Sequence, residues 1–134
     1  MSQKKIYRCN RQQNVLWLRA AVGRNGDRPI LVRLLIDTGA SYSVLPILIL
    51  QRIGCNLDQP LGKKKIVTAN GAISVPIVSV PWFNCMGIKR ENYPVVGLDL
   101  PASSFTDGLL GMDFLIEVKA VIDVAQAQIR LEIK

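Results

Sequence analysis

Leu34-Leu35-Ile36-Asp37-Thr38-Gly39-Ala40-Ser41 places a carboxylate directly after three apolar residues. The stretch Pro29 to Ile36 is nearly continuous in apolar residues, broken by Arg33, which predicts a strand buried on both faces toward its end. A charge at the end of such a strand is costly unless it is hydrogen-bonded, paired or protonated. The next residues supply what is needed: Gly39 lets the backbone turn sharply, and Thr38 and Ser41 offer hydroxyls. An ordinary exit from a strand into a turn uses the same residue types. The tripeptide Asp37-Thr38-Gly39 alone therefore leaves two readings open, a structural turn and a catalytic acid.

Outward from this segment the chain reads as strands punctuated by turns. Upstream, Asn14 to Val22 is a predicted strand, and Arg24-Asn25-Gly26-Asp27 predicts a type I′ hairpin turn into the strand ending at Ile36. Downstream, Ser43 to Leu45 is a short strand and Pro46 to Ile53 a short helix, with Gly54 at the C-terminal cap. Ile66 to Thr68 and Ala72 to Val80 form a second hairpin around Asn70-Gly71, again expected as type I′. Pro76 and Pro81 would break a central ladder, so this hairpin is expected at an edge or projecting outward. Val78 to Cys85 and Tyr93 to Leu98 are predicted strands around a turn spanning Gly87 to Asn92. Lys119 to Val124 and Gln128 to Ile133 close the chain as a hairpin around Ala125-Gln126. The reading is all-β with one or two short helices, in one domain spanning residues 1–134.

Composition narrows the chemistry. Histidine is absent, which removes Ser-His-Asp and Cys-His catalysis and leaves carboxylates, lysines and thiols. Cys9, Cys55 and Cys85 are widely spaced with no CxxC, so neither structural zinc nor thioredoxin-type redox chemistry is expected, and a reducing compartment is the simplest reading. No metal or organic cofactor is implied. Seventeen Lys and Arg against ten Asp and Glu give a net charge of +7. The positive charges are dispersed and lack interleaved aromatics, so solvated faces and loop tips are favoured over a nucleic-acid surface. No transmembrane-length apolar run and no apolar segment after the N-terminal lysines are visible, which leads to the expectation of a cytoplasmic protein.

The joint pattern is more specific than the tripeptide. Leu35 to Ser41 resembles the active-site loop of aspartic peptidases, apolar-apolar-Asp-Thr/Ser-Gly-Ala/Ser-Ser/Thr, at every position. That family carries a second signature late in the chain, two apolar residues and a glycine opening a short helix, and Leu109-Leu110-Gly111-Met112-Asp113-Phe114-Leu115 is similar to it. Between them the family has a flap hairpin, and Ile66 to Ile77 around Asn70-Gly71 sits in the corresponding place, with Thr68, Ala69, Asn70 and Gly71 as the flap residues. One Asp-Thr-Gly in 134 residues resembles a single-domain retropepsin-like peptidase rather than a two-lobed pepsin.

The resemblance implies a single-lobe acid-protease closed barrel with a flap, acting as a homodimer on a peptide or protein in extended conformation. It implies Asp37 as the catalytic residue, paired with its copy in a second subunit. It further implies that Thr38 locks the two loops together, that Gly39 and Ala40 shape the loop, and that Ser41 hydrogen-bonds the carboxylate. Leu109, Leu110, Gly111 and Asp113 would be structural, with Asp113 holding the late helix. Retroviral members carry an arginine where this chain has Met112, so their interface ion-pair network is not expected here. The strands around Lys5 to Cys9 and Ile129 to Lys134 would contribute to the subunit interface. Two alternatives from other classes remain at this point: a non-catalytic peptide-binding module on the same fold, and a basic nucleic-acid-binding β domain. The intact Leu35 to Ser41 loop favours the enzyme over both.

Overall fold

Residues 3–133, those described by the computed structural model, run through eleven strands and two short helices. The first half comprises β1 (Gln3–Arg8), β2 (Asn10–Gln12), β3 (Val15–Gly23), β4 (Ile30–Ile36), β5 (Val44–Leu45) and α1 (Ile47–Arg52). The second comprises β6 (Gly62–Thr68), β7 (Gly71–Cys85), β8 (Ile88–Gly97), β9 (Gly108–Leu110), α2 (Met112–Glu117), β10 (Val121–Asp123) and β11 (Gln128–Ile133).

Eight strands form one sheet in the order β2-β3-β4-β9-β5-β8-β7-β6. β7 also pairs back on β3, with Val22 opposite Phe83, so β3-β4-β9-β5-β8-β7 run in a closed ring. The ring is lined by the branched residues that make these segments good strands, including Val22, Leu34, Val80 and Val95, none of them measurably exposed. Phe83, Tyr93 and Phe114 fill its centre, with ring centroids 5.2 to 6.2 Å apart. β4 and β9 run parallel, Leu34 beside Gly108 and Ile36 beside Leu110. Gly108 has to be glycine, because a Cβ there would lie 2.0 Å from the Val44 carbonyl oxygen.

A second, three-stranded antiparallel sheet has the order β1-β11-β10. The segments expected to lend strands to a partner therefore pair with each other within one chain, Tyr7 opposite Ile129; Lys134 lies outside the described residues. β1 and β2 are not evident in the sequence, since both are mostly polar and form strands only through their partners.

Several turns differ from the sequence reading. The residues Gly87 to Asn92 are not a loop: β8 starts at Ile88, because Met86 and Gly87 both take positive φ (54° and 74°) and form a two-residue hairpin turn by themselves. Neither Asn-Gly pair makes a type I′ turn. Gly26 has φ 91° while Asn25 stays in the ordinary region, and the second turn is built on Ala69-Asn70 with Gly71 (φ 113°) opening β7. β7 is one fifteen-residue strand rather than two. Its prolines are accommodated because the strand changes partners along its length: Pro76 pairs with β6 alone, and Pro81 falls between the last β6 contact and the first β3 contact. β6 is an edge strand, in keeping with an outward-projecting hairpin.

Helix α1 carries the expected glycine cap. Gly54 (φ 87°) donates to the Gln51 carbonyl and the Cys55 N–H donates to that of Leu50. Pro46 is the residue before the first helical position rather than in it. The Asp99 carboxylate accepts the Ile47 N–H at 3.0 Å, and Asp107 and Asp123 accept backbone N–H groups of Arg33 and Gln126. No helix among the described residues is long and apolar enough to cross a membrane.

Candidate active site

Asp37 is the first residue past β4, and its N–H donates to the Leu110 carbonyl at 3.0 Å, continuing the β4–β9 ladder. Its carboxylate accepts the Gly39 N–H at 2.9 Å. A Cβ on Gly39 would lie 3.2 Å from that same oxygen, so glycine is what lets the loop backbone close on the carboxylate. The Ala40 N–H returns to the Asp37 carbonyl, and the Met112 N–H donates to the Ala40 carbonyl at 2.8 Å.

The late signature holds this loop from behind. Leu109 and Leu110 lie in β9, Gly111 caps α2, and Asp113 stands in its first turn. Gly111 passes so close to the loop that a Cβ would meet the Tyr42 carbonyl carbon at 2.6 Å and the Ala40 oxygen at 2.9 Å. Its N–H donates to Ser43 Oγ at 3.0 Å, and that hydroxyl donates to Asp113 Oδ1 at 2.9 Å. The Asp113 carboxylate also accepts the N–H groups of Ser43 (3.0 Å) and Phe114 (2.9 Å). Burial, then the charges of Asp113 and Glu117, push the nearby Tyr93 hydroxyl well above its ordinary range.

The face of Asp37 opens on a cleft of about 360 Å³. One wall is the loop, Gly39 to Tyr42; the other is β6, Lys64 to Val67; Val96, Leu98 and Leu109 supply the apolar remainder. On the other side of Asp37 lies a second depression, about 330 Å³, which Leu16, Leu35, Thr38 and Val124 help to line. The carboxylate thus sits on the ridge between two hollows. Among the described residues no group of three or more Cys, Asp or Glu is placed to hold a metal ion.

A family model described as aspartyl protease matches residues 20–114, which run from β3 through the Asp37 loop and the β6–β7 hairpin to α2. The chain belongs to the aspartyl protease family. No curated protein matches it. Among solved structures, this aspartyl protease-family chain is similar to a retropepsin-like aspartic protease from Rickettsia conorii, at 22% identity and TM-score 0.70, covering 99% of this chain and 94% of that one. EIAV protease complexed with the inhibitor HBY-793 matches at 22% identity and TM-score 0.51, covering 80% and 90%. The retroviral protease-like domain of Ddi1 from Leishmania major matches at 17% identity and TM-score 0.51, covering 83% and 82%. The fold is retropepsin-like.

Within that fold the sequence-predicted residues fall into three places. Asp37, Gly39, Ala40 and Ser41 border the cleft; Thr38 faces the second depression and a smaller hollow beside Met112 and Ile116. The carboxylate's hydrogen bond comes from the Gly39 N–H, while Ser41, exposed, makes none to Asp37 among the described residues. Thr68 to Gly71 form the exposed tip of the β6–β7 hairpin, where the Thr68 hydroxyl donates to the Gly71 carbonyl at 2.8 Å and accepts the Asn70 N–H at 3.3 Å. The cleft wall is the strand behind that tip rather than the tip itself. Sequence reasoning assigned no site role to Ser43, Tyr42 or Lys64. The available signal for Ser43 was a hydroxyl opening an apolar pair, Val44-Leu45, in a protein where buried polar groups need partners.

Proposed function

We propose that this aspartyl protease-family chain is an endopeptidase, hydrolysing peptide bonds with a water activated by two Asp37 side chains, one from each subunit of a homodimer. The observation that carries the reading is the position of the Asp37 carboxylate. It is fixed by Gly39 and Leu110 at the end of β4 and borders a cleft whose opposite wall is β6 of the β6–β7 hairpin. Exposed apolar residues around the Thr38 side of the ridge, Ile116 (66%) and Val124 (66%), support a second copy packing there.

Two carboxylates within hydrogen-bond reach cannot both ionise comfortably, so the pair shares one proton. The ionised member takes a proton from water as its oxygen attacks the scissile carbonyl carbon. The protonated member hydrogen-bonds the carbonyl oxygen and stabilises the tetrahedral intermediate. Collapse breaks the C–N bond, and the leaving nitrogen takes a proton from the dyad. The apparent pKa values belong to the pair. Substrate binds as an added strand through main-chain hydrogen bonds, with the flap closing over it to exclude water. A reducing compartment such as the cytoplasm suits the three free cysteines.

The test is Asp37→Asn. Incubated with a mixed peptide library from acidic to neutral pH, the wild type is expected to release cleavage products detectable by mass spectrometry. The variant is expected to release none while keeping its denaturation midpoint. Undiminished cleavage by the variant overturns the assignment.

A further inference from the structure

The wall of the cleft opposite Asp37 carries an unpaired cation. Along β6 the burial alternates with the period of a strand: Gly62, Lys64 and Ile66 are half-buried, whereas Lys63, Lys65 and Val67 are exposed. Of the three consecutive lysines, Lys63 lies away from the cleft, Lys65 is exposed at its rim, and Lys64 is the half-buried one turned inward. Its Nζ sits 4.8 Å from the centre of the Tyr42 ring, across the cleft mouth on the active-site loop. A ring face attracts a cation through its quadrupole but carries no net charge to neutralise it. The ion pairs among the described residues are Arg24–Asp27 and Arg90–Glu117, so neither Asp37 nor any other carboxylate is salt-bridged to Lys64. Among the described residues, Asp37 is also the only acidic one lining the cleft.

We propose that Lys64, held over Tyr42, makes the cleft selective for peptides that place a carboxylate between these two side chains, either an acidic side chain or the chain-terminal α-carboxylate. The inference rests on the peptidase reading for its meaning as substrate preference. A lysine whose stem is half-buried against the cleft wall projects its ammonium where a bound peptide would lie, and charge-assisted hydrogen bonds from it to a carboxylate are short and directional. The ring beneath it limits the positions Nζ explores, so less freedom is lost when the carboxylate arrives. An extended peptide lying under β6 presents alternate side chains toward the inner row, which is where Lys64 projects.

The experiment measures binding, so that it remains informative whether or not cleavage occurs. Statine-containing peptides are prepared in matched sets: Glu moved one position at a time, the same positions with Gln or Lys, and C-terminal carboxylate against amide. Wild-type protein is expected to bind the best Glu peptide about tenfold more tightly than its Gln counterpart. If the α-carboxylate is the recognised group, the same difference appears between free acid and amide instead. Lys64→Met, which keeps the aliphatic stem, is expected to bring the ratio close to one. Lys64→Glu is expected to turn the preference toward the Lys peptide, and Lys63→Glu, on the outer row, to leave the ratio as in wild type. Equal binding of all peptides by wild type, binding of none, or a ratio unchanged in Lys64→Met overturns the proposal. A Lys64-dependent preference without any cleavage of the parent peptides overturns the peptidase reading and leaves the selectivity standing.

Discussion

Ser43 joins the two halves of the aspartyl protease signature, and its removal should register as lost stability. Ser43→Ala leaves the Gly111 N–H buried without its acceptor and takes one donor from Asp113. A loss of about 1–3 kcal/mol is expected in urea denaturation. Asp113→Ala strips partners from Ser43 and Phe114 together and is expected to cost about 2–4 kcal/mol, also lowering activity because the loop carrying Asp37 is braced on this network. Alkaline pH acts at a different place. Burial, and then the charge of Cys9, push the Cys85 thiol from 9.0 up to about 12. The unfolded chain releases this proton first, so the stability is intact below about pH 9 and is lost as pH rises toward 12; the effect is on the order of 4 kcal/mol. Tyr93 shifts in the same direction and adds to the slope. Denaturation midpoints for Cys85→Ala, measured across this range, should fall less steeply than those of wild type. At this scale Asp37 was readable because a carboxylate ending an apolar strand demands an explanation, while Ser43 reads as one more strand residue until its burial is known. Lys64 was hidden by its neighbours: in Lys63-Lys64-Lys65 only the phase of the strand tells which side chain points inward.

The β6–β7 hairpin is the element on which turnover should depend. Gly71 opens β7 with φ 113°, and a Cβ there would meet no atom within 4 Å, so a substitution is opposed by backbone conformation alone. Gly71→Val is expected to cost roughly 1–2 kcal/mol of local strain at an exposed tip. In the proposed mechanism the hairpin closes over substrate, so a strained turn should lower kcat/KM by about tenfold or more. Equal kinetics for variant and wild type on a good peptide would argue against gating by this hairpin. The apolar strands β3 and β4 were legible in the sequence, although the connection between them, Arg24 to Pro29, is longer than the two-residue turn expected there. The first half of β8 was not, because Lys89 to Asn92 is polar on both faces and its hairpin turn uses Met86, a residue type seldom chosen for positive φ. β1 is likewise polar enough to pass for a tail until β11 is laid beside it.

For the whole molecule, the proposed two-subunit mechanism makes activity depend on subunit association. One chain supplies one Asp-Thr-Gly loop, so specific activity is expected to fall on dilution below the dimer dissociation constant. Mixing wild type with an equal amount of Asp37→Asn should leave about a quarter of the expected dimers fully wild type if subunits exchange freely. The net charge of +7 on each chain adds repulsion that salt screens, so the activity lost on dilution should be partly restored at higher ionic strength. Sedimentation as a monomer at full, dilution-independent activity would overturn the two-subunit mechanism. The closure of the ring by β3 and β7 was not visible in the sequence, since no local pattern records which distant edge a strand will meet. That closure also governs how the chain reaches its structure. The β3–β4, β6–β7 and β7–β8 hairpins join neighbours in sequence and can zip in about 1–10 μs, whereas Val22 with Phe83 and Leu34 with Gly108 must find each other across long intervening loops. Folding is therefore expected to be slow for the chain's size, in the range of about milliseconds to seconds, with amide protection arriving in the hairpins before the β3–β7 seam. Until the seam closes, two strand edges stand open to other chains, and the yield of refolding should decline as protein concentration rises.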